Sequence, residues 1–462
     1  MLRTLVLLAA LVAAVPAVQP SAPRQVSLVV ANGWVVTVDG SRRVIEGGAV
    51  AIDGRDIVGV DTAPAIAARF RGRDTIDAAG GVIMPGLINT HTHAPMVLFR
   101  GLADDLALMD WLQKYIFPAE AKTVSPEFVR VGTRLAALEM IESGTTAYAD
   151  MYYFEEEIGR ATKAAGLRGI LGQTIIQFPV PDAKTPAEGL ARTERFANEF
   201  AGDELITPAV APHAMYTLDA DTLKACRALA DRLRIPVIIH LAETQDEVKT
   251  AAEKYQATPT AFLESLGFWG PRTLAAHGVH LTTADIATLA RRRVGVSHNP
   301  ESNMKLASGI APVEELRRAG VDVGLGTDGA ASNNDLDMFE AMRQAAFLHK
   351  LKNDDPRAVP APVALEMATI GGARALGMER EIGSLEVGKR ADLLVVSMSA
   401  ARQTPMYDPV SHLVYVTRGD DVRTTIVNGK VLMRDRKPQT LDAAKVLAEA
   451  RGFAARVRAA VK

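Results

Sequence analysis

Through the middle of the chain, short apolar runs alternate with longer stretches in which apolar positions recur every three or four residues. The runs at 82–88, 145–149, 169–176, 206–211, 237–239, 273–276, 294–297 and 321–326 have the length and character of buried strands. The stretches between them have the period of helices with one face turned to a core. Strands alternating with helices predict a parallel sheet, and eight such units over roughly 300 residues predict a (β/α)8 barrel. An open doubly wound sheet is the alternative, but no Gly-x-Gly-x-x-Gly turn follows an early strand.

On either side the pattern changes to short strands closed by turn residues. Val26-Ser27-Leu28-Val29-Val30 turns at Asn32-Gly33 into Trp34-Val35-Val36. Gly48-Ala49-Val50-Ala51-Ile52 turns at Asp53-Gly54 into Ile57-Val58-Gly59-Val60. The stretches 391–396 and 424–432 have the same character near the other end. Two strand-rich flanks predict one small β domain built from both chain ends. A helix-forming tail follows over 441–461.

The first residues follow neither pattern. Arg3 supplies one positive charge, residues 5–15 are apolar, and Val15-Pro16-Ala17 leads into the turn-like Gln19-Pro20-Ser21-Ala22-Pro23. This is the three-part form of a secretory signal with Ala17 as a cleavage point. The run is short for a transmembrane helix, and no cysteine lies near residue 20 to carry a lipid. The expectation is an exported, periplasmic chain with no stable membrane anchor after processing. Cys226 is the only cysteine, so no internal disulfide is available. With 52 basic against 54 acidic side chains in 462 residues, there is no basic block to bind nucleic acid. Homo-oligomerisation is left open.

Candidate chemistry gathers where the predicted strands end, which is where barrel enzymes place their active sites. The first run ends in Asn89-Thr90-His91-Thr92-His93. In a strand, alternate side chains share a face, so His91 and His93 project together. Further runs end in Ala211-Pro212-His213, His240-Leu241-Ala242-Glu243, Ala276-His277, Ser297-His298-Asn299 and Gly326-Thr327-Asp328. Six of nine histidines occupy such positions. For His280, His349 and His412, surface or local structural roles are expected. His91, His93, His240 and Asp328 form a set of three imidazoles and a carboxylate that suits one divalent ion, zinc first and iron(II) second. An ion with an open position binds water and lowers its pKa. Glu243 is close enough to His240 to act as general base, and His277 to orient the attacking water.

These motifs, and above all Gly326-Thr327-Asp328-Gly329-Ala330-Ala331-Ser332-Asn333-Asn334, resemble the amidohydrolase superfamily. Within it the chain is similar to the one-metal branch of aminohydrolases and chlorohydrolases, and most of all to the 5-methylthioadenosine/S-adenosylhomocysteine deaminases. The resemblance runs from about Val26 to Lys437. It implies a distorted (β/α)8 barrel, an α/β fold, over 83–380. It also implies a β-sandwich from 21–82 and 381–437; outside it, the residues themselves give the signal at 1–20 and a C-terminal helix at 438–462. It places His91, His93, His240 and Asp328 on the metal ligands, Glu243 on the proton shuttle and His277 on the histidine holding the water. Asp328 joins these two in catalysis. Trp111, Glu120 and His213 fall on substrate contacts, with Glu120 accepting from ribose hydroxyls.

Two departures qualify what is implied. Relatives that take S-adenosylhomocysteine clamp its carboxylate with arginines beyond the third strand. Here that stretch, Gly172-Gln173-Thr174-Ile175-Ile176-Gln177-Phe178-Pro179, has none. Export is the second, since this branch is usually cytoplasmic. Binuclear relatives place a lysine at the end of the fourth strand; here Ala211-Pro212-His213 favours one metal. The resulting expectation is hydrolytic removal of an amine from an adenosine-type purine, releasing ammonia. The alternatives are an aminohydrolase, dehalogenase or cyclic-amide hydrolase acting on guanine, a pterin or a triazine.

Overall fold

The computed structural model describes residues 22–461, so the predicted signal at 1–20 lies outside the described residues. Eight parallel strands form one sheet in chain order: Leu87–Thr92, Thr145–Tyr152, Arg168–Ile175, Ile206–Pro212, Val237–Leu241, Thr273–His277, Gly295–His298 and Val323–Leu325. Neighbouring strands pair in parallel, as in Ile238 opposite Leu274 and Leu274 opposite Gly295, with irregular register only between the first two. Helices cover the outside, and several begin where a short polar side chain takes up a free backbone N–H. Asp219, Thr244, Thr282 and Asp337 do this, and Thr282 forms a full capping box with Asp285.

The barrel closes without ladder pairing between its last and first strands. At that seam Thr90 Oγ1 donates to the Leu325 carbonyl at 2.9 Å, and Asp328 N donates to the His91 carbonyl at 2.9 Å. The Asn89 side chain spans the same gap. Its Nδ2 donates to Thr327 Oγ1 at 2.7 Å and its Oδ1 accepts from Thr327 N at 3.1 Å. Gly326 is required here, because a Cβ at that position would lie 2.9 Å from His91 N and 2.5 Å from Asn299 Oδ1.

The two chain ends build a nine-stranded sheet. Val82–Pro85 lies at its centre, parallel to part of Arg24–Val36 and antiparallel to Leu393–Val396. The sheet curls over a shared core in which Leu28, Val50 and Ile83 meet Leu393, Val395 and Ile426. The single apolar run expected over 82–88 is therefore two strands. Its first half belongs to the outer sheet and its second half opens the barrel. Gly86 is the joint: a Cβ there would fall 2.0 Å from Thr146 Oγ1, so only glycine lets the chain pass that strand. The C-terminal helix Ala443–Ala460 lies on Pro126–Ser143, with Phe453 edge-on to Phe128 and Arg134 paired to Glu449 at 2.6 Å. Among the described residues no helix is long and apolar enough to cross a membrane.

Candidate active site

Strand ends deliver the expected side chains to one place. The His91 ring centroid is 4.9 Å from that of His93 and 5.0 Å from that of His240. Asp328 Oδ1 lies 3.6 Å from His91 Nε2 and 3.3 Å from His93 Nε2. Ligand atoms of His91, His93 and His240 fall within 4.8 Å of one another, as do those of His91, His277 and Asp328. The donors fit a divalent ion. Both ring nitrogens of His91 are buried with no hydrogen-bond partner, a costly state unless something binds a lone pair. His93 Nδ1 donates to the Met151 carbonyl at 2.7 Å and His240 Nδ1 to the His213 carbonyl at 2.8 Å. Those bonds fix the tautomers and leave each Nε2 free to bind metal. Burial alone would raise the Asp328 pKa, but the neighbouring imidazoles of His93, His91 and His277 hold it well below the usual carboxylate range. Oδ1 accepts from Gly329 N and Oδ2 from Ser302 Oγ, both at 2.7 Å.

Beside this set stand Glu243 and His277. His277 Nε2 is 3.7 Å from Glu243 Oε2 and 3.8 Å from Asp328 Oδ2, and its Nδ1 donates to Asn303 Oδ1 at 2.9 Å. Burial pushes the Glu243 carboxyl above its ordinary pKa, which suits a group that takes and returns a proton. The backbone is strained around these groups: Ala242, His277 and Asp328 have φ of 47°, 73° and 65°. Glu247 holds one of these turns, accepting from Ala242 N and Glu243 N at 3.0 Å each. The sequence carries a signal for it. Thr244-x-x-Glu247 is a capping-box spacing, although here the carboxylate reaches past Thr244 to the two residues before it.

The opposite wall comes from the connection after the first strand. The helix Leu108–Trp111 runs through a π-turn, Leu112–Ile116, into Phe117–Thr123. Trp111 and Glu120 face the same cavity as His213, Glu243 and Asp328. Glu120 accepts from Tyr152 Oη at 2.7 Å, and burial pushes its carboxyl up to about 7. His213 is pulled down to about 3 by burial, so it is neutral near pH 7, with Nδ1 3.2 Å from Thr217 Oγ1. Among the described residues no lysine lines this cavity.

The second strand runs three residues beyond the expected 149, which brings Tyr152 to the cavity, with Tyr153 just past the strand end. That extension also buries Asp150, whose Oδ1 accepts from Thr92 Oγ1 and Ala94 N at 2.6 Å each, on either side of His93. His298 does not join the site. Its Nε2 is 3.1 Å from that of His349, and both rings are buried behind the seventh strand. His349 is thus a structural partner, as is His280, which meets the Ser308 carbonyl at 2.7 Å. His412 Nδ1 donates to the Asp408 carbonyl at 3.1 Å. Behind the Asp328 loop, Glu301, Asp335 and Glu340 form a separate acidic group. Burial, reinforced by neighbouring carboxylates, pushes Glu301 up to about 9 and Asp335 to about 7.

A barrel carrying histidine and aspartate donors beside a buried carboxylate defines a metal-dependent hydrolase. The chain belongs to the amidohydrolase family, whose model matches residues 82–432. It is 48% identical over 431 residues, 93% of this chain and 98% of the relative, to a 5-methylthioadenosine/S-adenosylhomocysteine deaminase of Syntrophobacter fumaroxidans. It is 47% identical over 426 residues, 92% of this chain and 96% of the relative, to a 5'-deoxyadenosine deaminase of Methanosarcina barkeri. Among solved structures, an adenosine deaminase from Xanthomonas campestris with bound zinc superposes with a TM-score of 0.93. It is 42% identical and covers 95% of this chain and 100% of its own.

Proposed function

We propose that this enzyme hydrolytically deaminates an adenosine-type purine nucleoside, releasing ammonia, with one zinc ion held by His91, His93, His240 and Asp328. The observation that carries this reading is the cavity itself. A complete nitrogen and oxygen donor set with Glu243 and His277 stands at one side, and a buried hydroxyl-binding carboxylate, Glu120, stands at the other. The adenosine-type activities named for the relatives support it, as does the zinc in the Xanthomonas structure.

Bound there, the ion would supply a Lewis acid that lowers the pKa of water near 7. Glu243 takes a proton from the attacking water and passes it to the ring nitrogen next to the amine-bearing carbon. His277 Nε2 and Asp328 Oδ2, 3.8 Å apart, stand side by side and orient the water that faces both. As the carbon–nitrogen bond breaks, Asp328, itself held ionised, takes the remaining proton from the oxygen added to the ring carbon and passes it to the departing amine, giving ammonia and the oxo-purine. Trp111 offers an aromatic face to the ring, and His213, neutral at working pH, offers a hydrogen bond. Glu120 accepts from two adjacent ribose hydroxyls, which a carboxylate can do and a free base cannot exploit.

Ammonia release from adenosine, 5'-deoxyadenosine, 5-methylthioadenosine, guanine, a pterin and a chlorotriazine, with metal analysis of the same sample, tests this. The expected outcome is turnover confined to the nucleosides. Turnover of guanine or the triazine with none of adenosine derivatives would overturn it.

A further inference from the structure

The helix after the second strand, Glu155–Ala165, opens with three glutamates. Acidic side chains suit a helix N-terminus, and two of the three find cations there. Glu156 pairs with Arg192, and Glu157 with Arg160 at 2.8 Å. Glu155 instead turns inward and is fully buried. Its Oε1 accepts from Tyr152 N at 2.9 Å, which pins the turn in which Phe154 takes a φ of 56°. Its Oε2 has no partner.

Asp150 lies within hydrogen-bonding reach of Glu155 and is as deeply buried. Its Oδ1 is committed to Thr92 Oγ1 and Ala94 N, while its Oδ2, like Glu155 Oε2, is orphaned. Among the described residues no lysine or arginine meets either carboxyl. The other carboxyls facing Glu155 are committed elsewhere: Glu156 to Arg192, and Asp182 to Phe154 N and Gln173 Nε2 at 2.7 and 2.9 Å. Two bare carboxylates in contact, out of water and without a counter-ion, are costly. One proton between them removes both orphans, as an O–H···O⁻ bond of the strong, charge-assisted kind. Asp150 already takes two donors on one oxygen, which favours its charged form, so the proton belongs to Glu155. Burial and the Asp150 charge push Glu155 well above its ordinary range, whereas burial lifts Asp150 to about 6.

We propose that Glu155 keeps its carboxyl proton and donates it through Oε2 to Asp150 Oδ2, and that this acid–carboxylate pair positions His93 for the ion. The inference rests on the metal-binding part of the reading above. Both are positioning residues, since neither is among the proposed ligands. Asp150 grips the chain on either side of His93, and the carbonyl of Met151, next along, fixes the His93 ring through Nδ1. Glu155 holds Tyr152 N, and Tyr152 Oη in turn donates to Glu120. The strand end Asp150-Met151-Tyr152 thus reaches the ion site on one side and the substrate wall at Glu120 on the other. One buried proton keeps it in place. Without that proton donor, Asp150 Oδ2 is left buried and unpaired, and the grip on Thr92 and Ala94 loosens with His93 between them.

Zinc affinity, by competition with a chromogenic chelator, and infrared difference spectra of the full chain test this. Glu155→Ala should weaken zinc binding by about tenfold or more, the usual scale for losing a group that orients a histidine ligand. Glu155→Gln, whose amide can donate to Asp150 and accept from Tyr152 N, should recover most of that loss. Thr92→Val, which removes one of the two bonds Asp150 makes beside His93, should also weaken zinc binding. It keeps the positioning role testable if Glu155→Ala does not fold. The spectrum of zinc-free wild type minus Glu155→Gln should show the carbonyl stretch of a protonated carboxylic acid at about pH 7, where an ordinary glutamate is ionised. Absence of that band, or a zinc loss as large in Glu155→Gln as in Glu155→Ala, would overturn the pair. Unchanged zinc affinity in Thr92→Val would overturn the positioning role. A wild type that binds no zinc yet shows the band would overturn the metal reading and the positioning role with it, and leave the shared proton standing.

Discussion

Glu243 matters because of where its proton can go. Its carboxyl is buried, raised in pKa and 3.7 Å from His277 Nε2, while its own backbone N–H is tied to Glu247. Glu243→Gln keeps shape and contacts but cannot accept the proton. The variant should retain metal and lose at least about a hundredfold in kcat, by metal analysis and steady-state rates. Near-normal turnover with metal bound would mean that another group moves the proton. Glu120 gives a different kind of test. Because it is the acceptor proposed for ribose, Glu120→Ala should reduce kcat/KM for adenosine far more than for adenine. Equal losses on both would remove the ribose contact from the mechanism.

At the scale of elements, the loop after the eighth strand carries carboxylates that burial makes unwilling to ionise. Folded Asp335 keeps its proton up to about pH 7, whereas an unfolded chain releases it near the ordinary 3.8. Between those values the folded state binds more protons, so its stability falls as pH rises and the whole cost is present above about pH 7. Asp335→Asn should therefore stabilise the protein at pH 8, by on the order of a few kcal/mol, and far less at pH 4. Urea unfolding at the two pH values measures this, and equal gains at both would refute it. Much of the element level was legible in advance. Strand periodicity and strand ends located His91, His93, His240, His277 and Asp328, because a parallel barrel turns chain order into a ring of strand ends. What stayed hidden was register. The run 82–88 is apolar throughout, so its pattern held no mark of the change of sheet at Gly86. His298 stands at a strand end as expected, but parity keeps it out of the site. Ser297 points into the barrel, where its Oγ is 2.6 Å from Thr90 Oγ1, so His298 must face outward to His349. Tyr152 and Asp150 depend on how far the second strand runs and on what it meets across the sheet, for which no local pattern exists.

For the molecule as a whole, the ion and the fold should stabilise each other. The proposed ligands come from the ends of the first, fifth and eighth strands, so an ion bound there would tie together parts of the barrel far apart in sequence. Purified enzyme should hold about one divalent ion per chain. Chelation should abolish activity and lower Tm, since an ion that binds only the folded state stabilises it, and readdition should restore both. An unchanged Tm on complete metal removal would uncouple the two. Two tightly bound ions, both needed for turnover, would defeat the one-metal reading.

The seam at Asn89 has a consequence for when the enzyme comes into being. Asn89 sits two residues before His91, and its partner Thr327 sits one residue before Asp328, so fastening the ring and completing the ligand set are a single event. The outer sheet adds a second latch, because Val82–Pro85, which leads into the first ligand strand, is paired to Leu393–Val396. A nascent chain that has emerged only as far as the sixth strand already owns three of the four proposed ligands, the two histidines of the opening motif among them, yet has nothing to hold them at their working separation. Birth of the catalyst is thus postponed until translation is nearly over, and a truncated product lacking the last strands is born silent.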